Sequence, residues 1–281
     1  MKMSSKFFMT AALSAVISLS AYSQNLKVPA PSPSTTIKQD FALSTVELSY
    51  SRPAVKGRNI FGDLVPYGKV WRTGANAATT ITFGEEVSIG GKKVPAGKYG
   101  LLTIPGQSEW TIIISKQTDV TSPSAYKESE DVVRFTAKAE EMPFSVESFT
   151  IVFGDIKANS MSTSILWDKT IVSFDITADI DGKIMAQIDQ QMKGDKPPYF
   201  MAAYYYLENG KDLNKAVQWF DKAITENPKA FWIYHQKAVA ESKLGKKKEA
   251  VATATKSMEL AREAKNPDYV ALNEKLIASI K

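Results

Sequence analysis

The chain has 281 residues, 44% of them hydrophobic and 23% charged, the composition of a globular protein with material for two modest cores. It contains no cysteine and one histidine, His235, which excludes disulfides, thiolate nucleophiles and cysteine- or multi-histidine metal centres; a Ser-His-Asp triad would have to recruit that histidine from the C-terminal region. The formal net charge of +5 falls to +3 once a leader carrying Lys2 and Lys6 is removed, and without a concentrated basic stripe it predicts no nucleic-acid partner.

Residues 1–23 read as a signal peptide: lysines at 2 and 6, an apolar run over 7–19 broken by Thr10, Ser14 and Ser18, then Ala21-Tyr22-Ser23 as a small-x-small site. The run is short of the roughly 20 residues that span a bilayer. Cleavage before Gln24 is therefore expected, with export to the periplasm or medium and no stable membrane insertion of the mature chain. Residues 24–33, with Pro29, Pro31 and Pro33 among small residues, read as an extended Pro-rich linker that tethers without joining a core.

Residues 34–180 carry period-two alternation. Val46, Leu48 and Tyr50 share one strand face, and Ile81 and Phe83 repeat the device. Turn signals at Gly90-Gly91, Pro95-Ala96-Gly97, Pro105-Gly106 and Asp168-Lys169 punctuate strands at 98–104, 110–115, 132–138, 148–156, 162–167 and 170–177. Nine or ten short antiparallel strands predict a β-sandwich or an open barrel, with the sandwich favoured. Met142-Pro143 and residues 117–131 read as the longer connections, the second as a mobile loop beside a sheet edge.

After Asp179 the period changes. Ile184, Ile188 and Met192 recur every four residues, so 181–197 reads as a connecting helix ended by Pro197-Pro198, and Asp179, Asp181 and Gly182 read as a turn with a cap, since the later ligands of a calcium loop are missing. Residues 198–281 read as tetratricopeptide-like helices. Ala216, Val217 and Phe220 lie on one helix face, with Asp212 as N-cap, and Ala250, Val251 and Ala254 repeat them 34 residues later. One fair repeat, one degenerate repeat and a final helix opened by Asn266-Pro267 follow, together with a protein partner docked on the repeats. Tyr204-Tyr205-Tyr206 and His235 read as packing residues, and Lys246-Lys247-Lys248 as a solvated turn.

The candidate site lies in residues 51–83. Only five arginines occur, at 52, 58, 72, 134 and 262, and three fall in this stretch. A guanidinium donates two parallel hydrogen bonds to a carboxylate or phosphate, which lysine does not. Arg52, Arg58, Trp71, Arg72 and Asn76 are thus candidate ligand-binding residues for a small polar or anionic molecule. The same residues read equally as a structural lattice in which Asp63, Glu47 or Glu109 accepts the arginines. No cofactor, metal or catalytic residue is expected.

The phrases Ser51-Arg52-Pro53, Lys56-Gly57-Arg58, Phe61-Gly62, Pro66-Tyr67-Gly68, Val70-Trp71-Arg72-Thr73-Gly74-Ala75-Asn76 and Ala78-Thr79-Thr80 resemble domain of unknown function family 2911 over about residues 35–180. So do Pro95-Ala96-Gly97-Lys98-Tyr99, Ile104-Pro105-Gly106 and Trp110-Thr111. The resemblance implies an exported β-rich domain of Bacteroidetes-type bacteria, sometimes followed by tetratricopeptide-like helices. It implies no activity and carries over no catalytic residue. The expectation is an exported non-catalytic binding or scaffold protein. A hydrolase of envelope polysaccharide or peptide using paired carboxylates such as Asp63 and Glu109, two acids about 5–10 Å apart, is one alternative; a purely structural envelope component is another.

Overall fold

The computed structural model describes residues 28–280, so the leader and the start of the linker lie outside the described residues. Nine strands precede six α-helices. They are β1 (Ser34–Phe41), β2 (Ser44–Ser51), β3 (Thr80–Phe83), β4 (Val87–Ile89), β5 (Lys92–Val94), β6 (Gly97–Ile104), β7 (Glu109–Ser115), β8 (Asp131–Gly154) and β9 (Ser160–Thr177). All pairings are antiparallel, in the order β1-β2-β3-β6-β7-β8-β9-β4-β5.

The sheet turns back on itself along β8. Its first part, to Lys138, pairs with β7, and from Ala139 onward its partner is β9. The alternating residues Val46, Leu48, Tyr50, Ile81 and Phe83 from one half meet Phe149, Ile151, Ile165, Trp167 and Val172 from the other in a single core. The chain beyond β2 narrows the gap between the halves: Phe149 N donates to Pro53 O and Val55 N to Glu147 O, both at 2.8 Å. On the outer face of β6 and β7, Leu102 and Ile113 form a smaller cluster with Val120, covered by Val70 and Tyr126.

Three expectations about the sheet need correction. Met142-Pro143 is not a connection but lies inside the 24-residue β8, where the register shifts between Glu141 and Val146 and again before Thr150. A proline lacks the ladder donor and is tolerated where pairing is already irregular. Nor is Asp168-Lys169 a hairpin. Asp168 alone of the two has positive φ, at 48°, which rules out a type I′ turn. Asp168 sits opposite Val146, and Leu166 and Thr170 on either side of it pair with β8 across shifts in register, so the strand bends through a bulge and continues. Residues 116–130 join the interior strands β7 and β8 instead of lying beside an edge. They are tied down as well: Gln117 Nε2 donates to Ala125 O at 3.0 Å, and Gln117 Oε1 accepts from Lys127 N at 2.6 Å.

The helices are α1 (Asp181–Gln191), α2 (Tyr199–Glu208), α3 (Leu213–Glu226), α4 (Phe231–Lys243), α5 (Lys247–Glu263) and α6 (Pro267–Ile280). Helix α1 ends at Gln191, earlier than the prolines, and Pro198 instead stands at the N-cap of α2, where a missing N–H costs no helical bond. Asp181 is not a cap: it accepts from Tyr205 Oη at 2.7 Å and Lys211 Nζ at 2.8 Å, tying α1 to the end of α2. The Asp212 cap forms as expected, accepting from Asn214 N and Lys215 N. Buried alanines, among them Ala203, Ala216, Ala240, Ala250 and Ala254, let the helices approach closely. Ile184 of α1 packs against both the sheet core and the helical core, so α1 bridges the two parts.

Candidate functional site

The stretch between β2 and β3 folds over one end of the sheet. Its middle is seated by Trp71, whose N–H and C=O pair with Thr103 of β6 at 2.7 and 3.0 Å, continuing the line of β3 beyond its end. Strand alternation then sends Val70 to the outer cluster and Trp71 to the main core. Thr73 and Gly74 turn the chain with φ of 56° and 153°. A side chain at 74 would also meet Ser51 O and Thr79 Oγ1 at 3.1 Å, so glycine is required there.

Trp71 stacks on Trp167 of β9, with ring centres 5.8 Å apart and planes 12° from parallel. Phe61, Trp110 and Phe149 meet Trp71 edge-on. Against this aromatic wall lies a cavity of about 440 Å³, within the size range of small-molecule sites. Leu64, Val65, Val70 and Val120 supply apolar lining. Arg58, Lys69 and Arg72 supply charge, and among the described residues no aspartate or glutamate lines the space.

The five candidate residues separate here. Arg58, Trp71 and Arg72 line the cavity, and Arg52 and Asn76 do not. The ion-pair lattice is corrected: among the described residues, only Arg134 and Arg262 of the five arginines form salt bridges. The three loop arginines bind neutral acceptors. Arg52 donates from Nε to Phe149 O at 3.1 Å and from Nη2 to Thr150 Oγ1 at 2.8 Å. Arg58 donates from Nε to Val55 O at 3.0 Å and from Nη2 to Ala54 O. Arg72 donates from Nη1 to Thr121 O, while its buried Nε has no acceptor among the described residues. Asn76 Nδ2 donates to Ser32 O at 3.2 Å, and Pro33 O accepts from Arg52 N, so the end of the linker is pinned to this loop and does not hang free. Ser32 itself lines the cavity.

Two contributors were not anticipated from sequence. Trp167 is 2% exposed and lines the cavity with an indole N–H that has no partner among the described residues. Its place on the inward face of β9 follows from the alternation Met161, Thr163, Ile165, Trp167, but its meeting with Trp71 depends on the fold closing. The other is the 120–123 wall. It is clamped from behind by Tyr126, which donates to Asp131 Oδ2, and by Arg134, which pairs with Glu128 and, at 3.8 Å, with Asp131. Burial raises the Asp131 carboxyl above its usual range and pushes the Tyr126 phenol up as well.

Elsewhere His235 is buried, with Nδ1 2.8 Å from Asn273 Oδ1 and its ring against Tyr269, a packing role. The tyrosine run divides: Tyr206 is buried, Tyr205 holds Asp181, and Tyr204 stacks on Phe200 at the surface. Among the described residues, no helix is long and apolar enough to cross a membrane.

Comparison with known proteins agrees with this division. The family model for a protein of unknown function, DUF2911, matches residues 32–176, just over half of the chain and the whole of the cavity. The tetratricopeptide repeat model matches residues 197–229 and 233–263, which take in the pairs α2–α3 and α4–α5. No curated protein and no solved structure matches the chain. On the strength of the first match, the chain belongs to the DUF2911 family of proteins of unknown function, and tetratricopeptide repeats follow its family region.

Proposed function

We propose that this protein is an exported, non-catalytic adaptor whose β-rich domain binds a small anionic ligand and whose helical repeats dock a protein partner. The single observation that carries the ligand reading is the cavity lined by Arg58, Lys69 and Arg72 with no carboxylate among its lining residues. A concave site with one sign of charge and low-dielectric walls concentrates counter-ions of the opposite sign. The partner reading rests on the tetratricopeptide repeats, units commonly used for protein recognition. Export rests on the leader pattern of residues 1–23, outside the described residues. Neither Asp63 nor Glu109, the acids of the paired-carboxylate alternative, lines the cavity.

The test is thermal melting of the mature chain, starting at Gln24, against organic carboxylates, inorganic phosphate, sulfate and acidic sugars. A ligand at a hundred times its Kd stabilises the folded state by about 2.7 kcal/mol, enough to raise the melting temperature by several degrees. If no anion in the panel raises it, the ligand-site reading fails.

A further inference from the structure

We infer that the cavity is a carboxylate site: the Nε–Nη2 edge of Arg72 receives the carboxylate of a small organic acid, whose apolar body lies along the Trp71–Trp167 wall. This deepens the anion-site reading above and rests on it. The three loop arginines are alike in sequence and differ in the edge they have spent. The Nε–Nη2 edge is one that gives two parallel hydrogen bonds to a carboxylate. Arg52 has given both of those nitrogens to Phe149 O and Thr150 Oγ1, and Arg58 has given both to Val55 O and Ala54 O. Arg72 is held the other way round. It is anchored through Nη1 to Thr121 O, and among the described residues neither Nε nor Nη2 donates to a protein acceptor.

A buried donor without an acceptor is uncommon, and each one calls for an explanation. Two such donors belong to residues that line this cavity, Arg72 Nε and Trp167 Nε1. The indole of Trp71 gives its N–H to Gly74 O at 3.1 Å, so of the two stacked indoles only Trp167 keeps an unspent donor among the described residues. Arg58 and Lys69 add positive charge, and Leu64, Val65, Pro66, Val70 and Val120 make the rest of the lining mainly apolar. A phosphate ion would meet the arginine edge equally well but would leave the aromatic wall and the Trp167 donor unused. The site therefore fits a ring-bearing organic acid with a second hydrogen-bond acceptor away from its carboxylate.

The probes are benzoate, 4-hydroxybenzoate, benzamide and inorganic phosphate, titrated calorimetrically into the mature chain and its variants. Both benzoates are expected to bind, and benzamide, equal in shape and neutral, to bind at least tenfold more weakly. Arg72→Lys keeps the charge and loses the fork, and should weaken benzoate by about tenfold or more. Arg52→Lys, which alters a residue outside the cavity, should leave the affinity of the folded protein unchanged. Trp167→Phe should weaken 4-hydroxybenzoate severalfold. Equal binding of benzoate and benzamide by the parent overturns the proposal without reliance on any variant, as does parent-like benzoate affinity in a folded Arg72→Lys protein. Parent-like affinity for 4-hydroxybenzoate in Trp167→Phe refutes the acceptor assigned to the indole. Binding of phosphate with no binding of either benzoate refutes the carboxylate and leaves the anion site standing; silence to all three anions refutes the carboxylate, and the anion site falls with it only if the wider melting panel is silent too.

Discussion

Replacing Arg52 by Ala tests whether the first arginine of the loop is a latch between the two halves of the sheet. The side chain is half-buried, and it ties the chain beyond β2 to Phe149 O and Thr150 Oγ1 of β8. Hydrogen bonds from a charged donor contribute about 1.5–3 kcal/mol each. Thr150 is only half-buried, so its hydroxyl can turn to water once the guanidinium is gone, and the backbone bonds through Pro53 and Val55 stay in place. The net loss should therefore lie near the lower end of the pair, about 2–3 kcal/mol. A domain of this size shifts its melting temperature by about 2–4 °C per kcal/mol, which puts the Arg52→Ala shift at roughly 4–12 °C. Urea unfolding is followed by near-ultraviolet circular dichroism, to which the β-rich part contributes through Trp110 and Trp167, with ring centres 6.1 and 5.8 Å from that of Trp71, and the helices through Trp219 and Trp232; the transition of the β-rich part is the one expected to move. Loss of less than about 0.5 kcal/mol, within the usual scatter of surface substitutions, would refute the latch. A variant that stays folded but no longer binds benzoate would show that Arg52 belongs to the site after all.

The helical part offers further checks. Asn273 is fully buried and joins α6 to its neighbours, meeting His235 Nδ1 at 2.8 Å and donating to Ser257 Oγ at 2.8 Å. Asn273→Ala should cost about 2–3 kcal/mol by stranding those groups, read from urea unfolding at 222 nm; parent-like stability would show that the network contributes nothing. At the α1–α2 contact, the hydrogen bond from Lys211, followed by that from Tyr205, holds the Asp181 carboxyl below its ordinary range. A depressed carboxyl stabilises above its unfolded pKa of about 3.9 and loses that contribution as pH falls through the lower folded value. Burial and the neighbouring Asp181 push the Tyr205 phenol up to about 12, so its contribution is present below the ordinary value of 10.0 and lost between there and about 12. Protection of the α1 amides, exchange taken relative to its intrinsic rate at each pH, should fall at both extremes, and Asp181→Asn should remove the acid limb; an unchanged acid limb would sink the assignment. Finally, the sheet and helices meet through Ile184 and the Lys183–Glu85 pair at 2.7 Å, and a partly exposed pair of this kind contributes under about 1 kcal/mol. The near-ultraviolet curve, to which both parts contribute, should therefore not overlay the helix-dominated 222 nm curve in urea, and coincident curves would mean a stronger junction than these contacts supply.

The strands and helices were legible wherever a local pattern decided them. Val46, Leu48 and Tyr50 alternate because one face of β2 is buried, and the 34-residue recurrence of Ala216 at Ala250 reflects one helix pair stacking on the next. The long bent pair β8 and β9 was not legible. Pro143 and Asp168 are ordinary turn residues in one dimension, and only the opposing strand, with its own shift in register, turns them into bulges. The place of the cavity was legible in part, and its membership was not. Arginine enrichment marked the stretch, yet Trp167 comes from a strand nearly a hundred residues away, and no local signal pairs it with Trp71.

Why three similar arginines should divide into two anchors and one open edge follows from the backbone around them. A loop without regular pairing leaves carbonyl oxygens that still require donors. Ala54 O, beyond β2, and Phe149 O, in β8, are such carbonyls, met by Arg58 and Arg52, and Arg58 also donates from Nε to Val55 O, which accepts the Arg58 main-chain N–H as well, at 3.1 Å. Arg72 follows Trp71, whose own N–H and C=O are satisfied by Thr103, and the Arg72 carbonyl takes a donor from Thr79 N at 3.1 Å. Local demand at that point is met by the main chain. The guanidinium needs only one nitrogen to fix the 120–123 wall, and its remaining edge is surplus to the fold. In an irregular loop rich in arginine, the residue beside a satisfied backbone is therefore the one free to hold a ligand. That criterion selects Arg72 over Arg52 and Arg58, although nothing in residue type or spacing distinguishes the three.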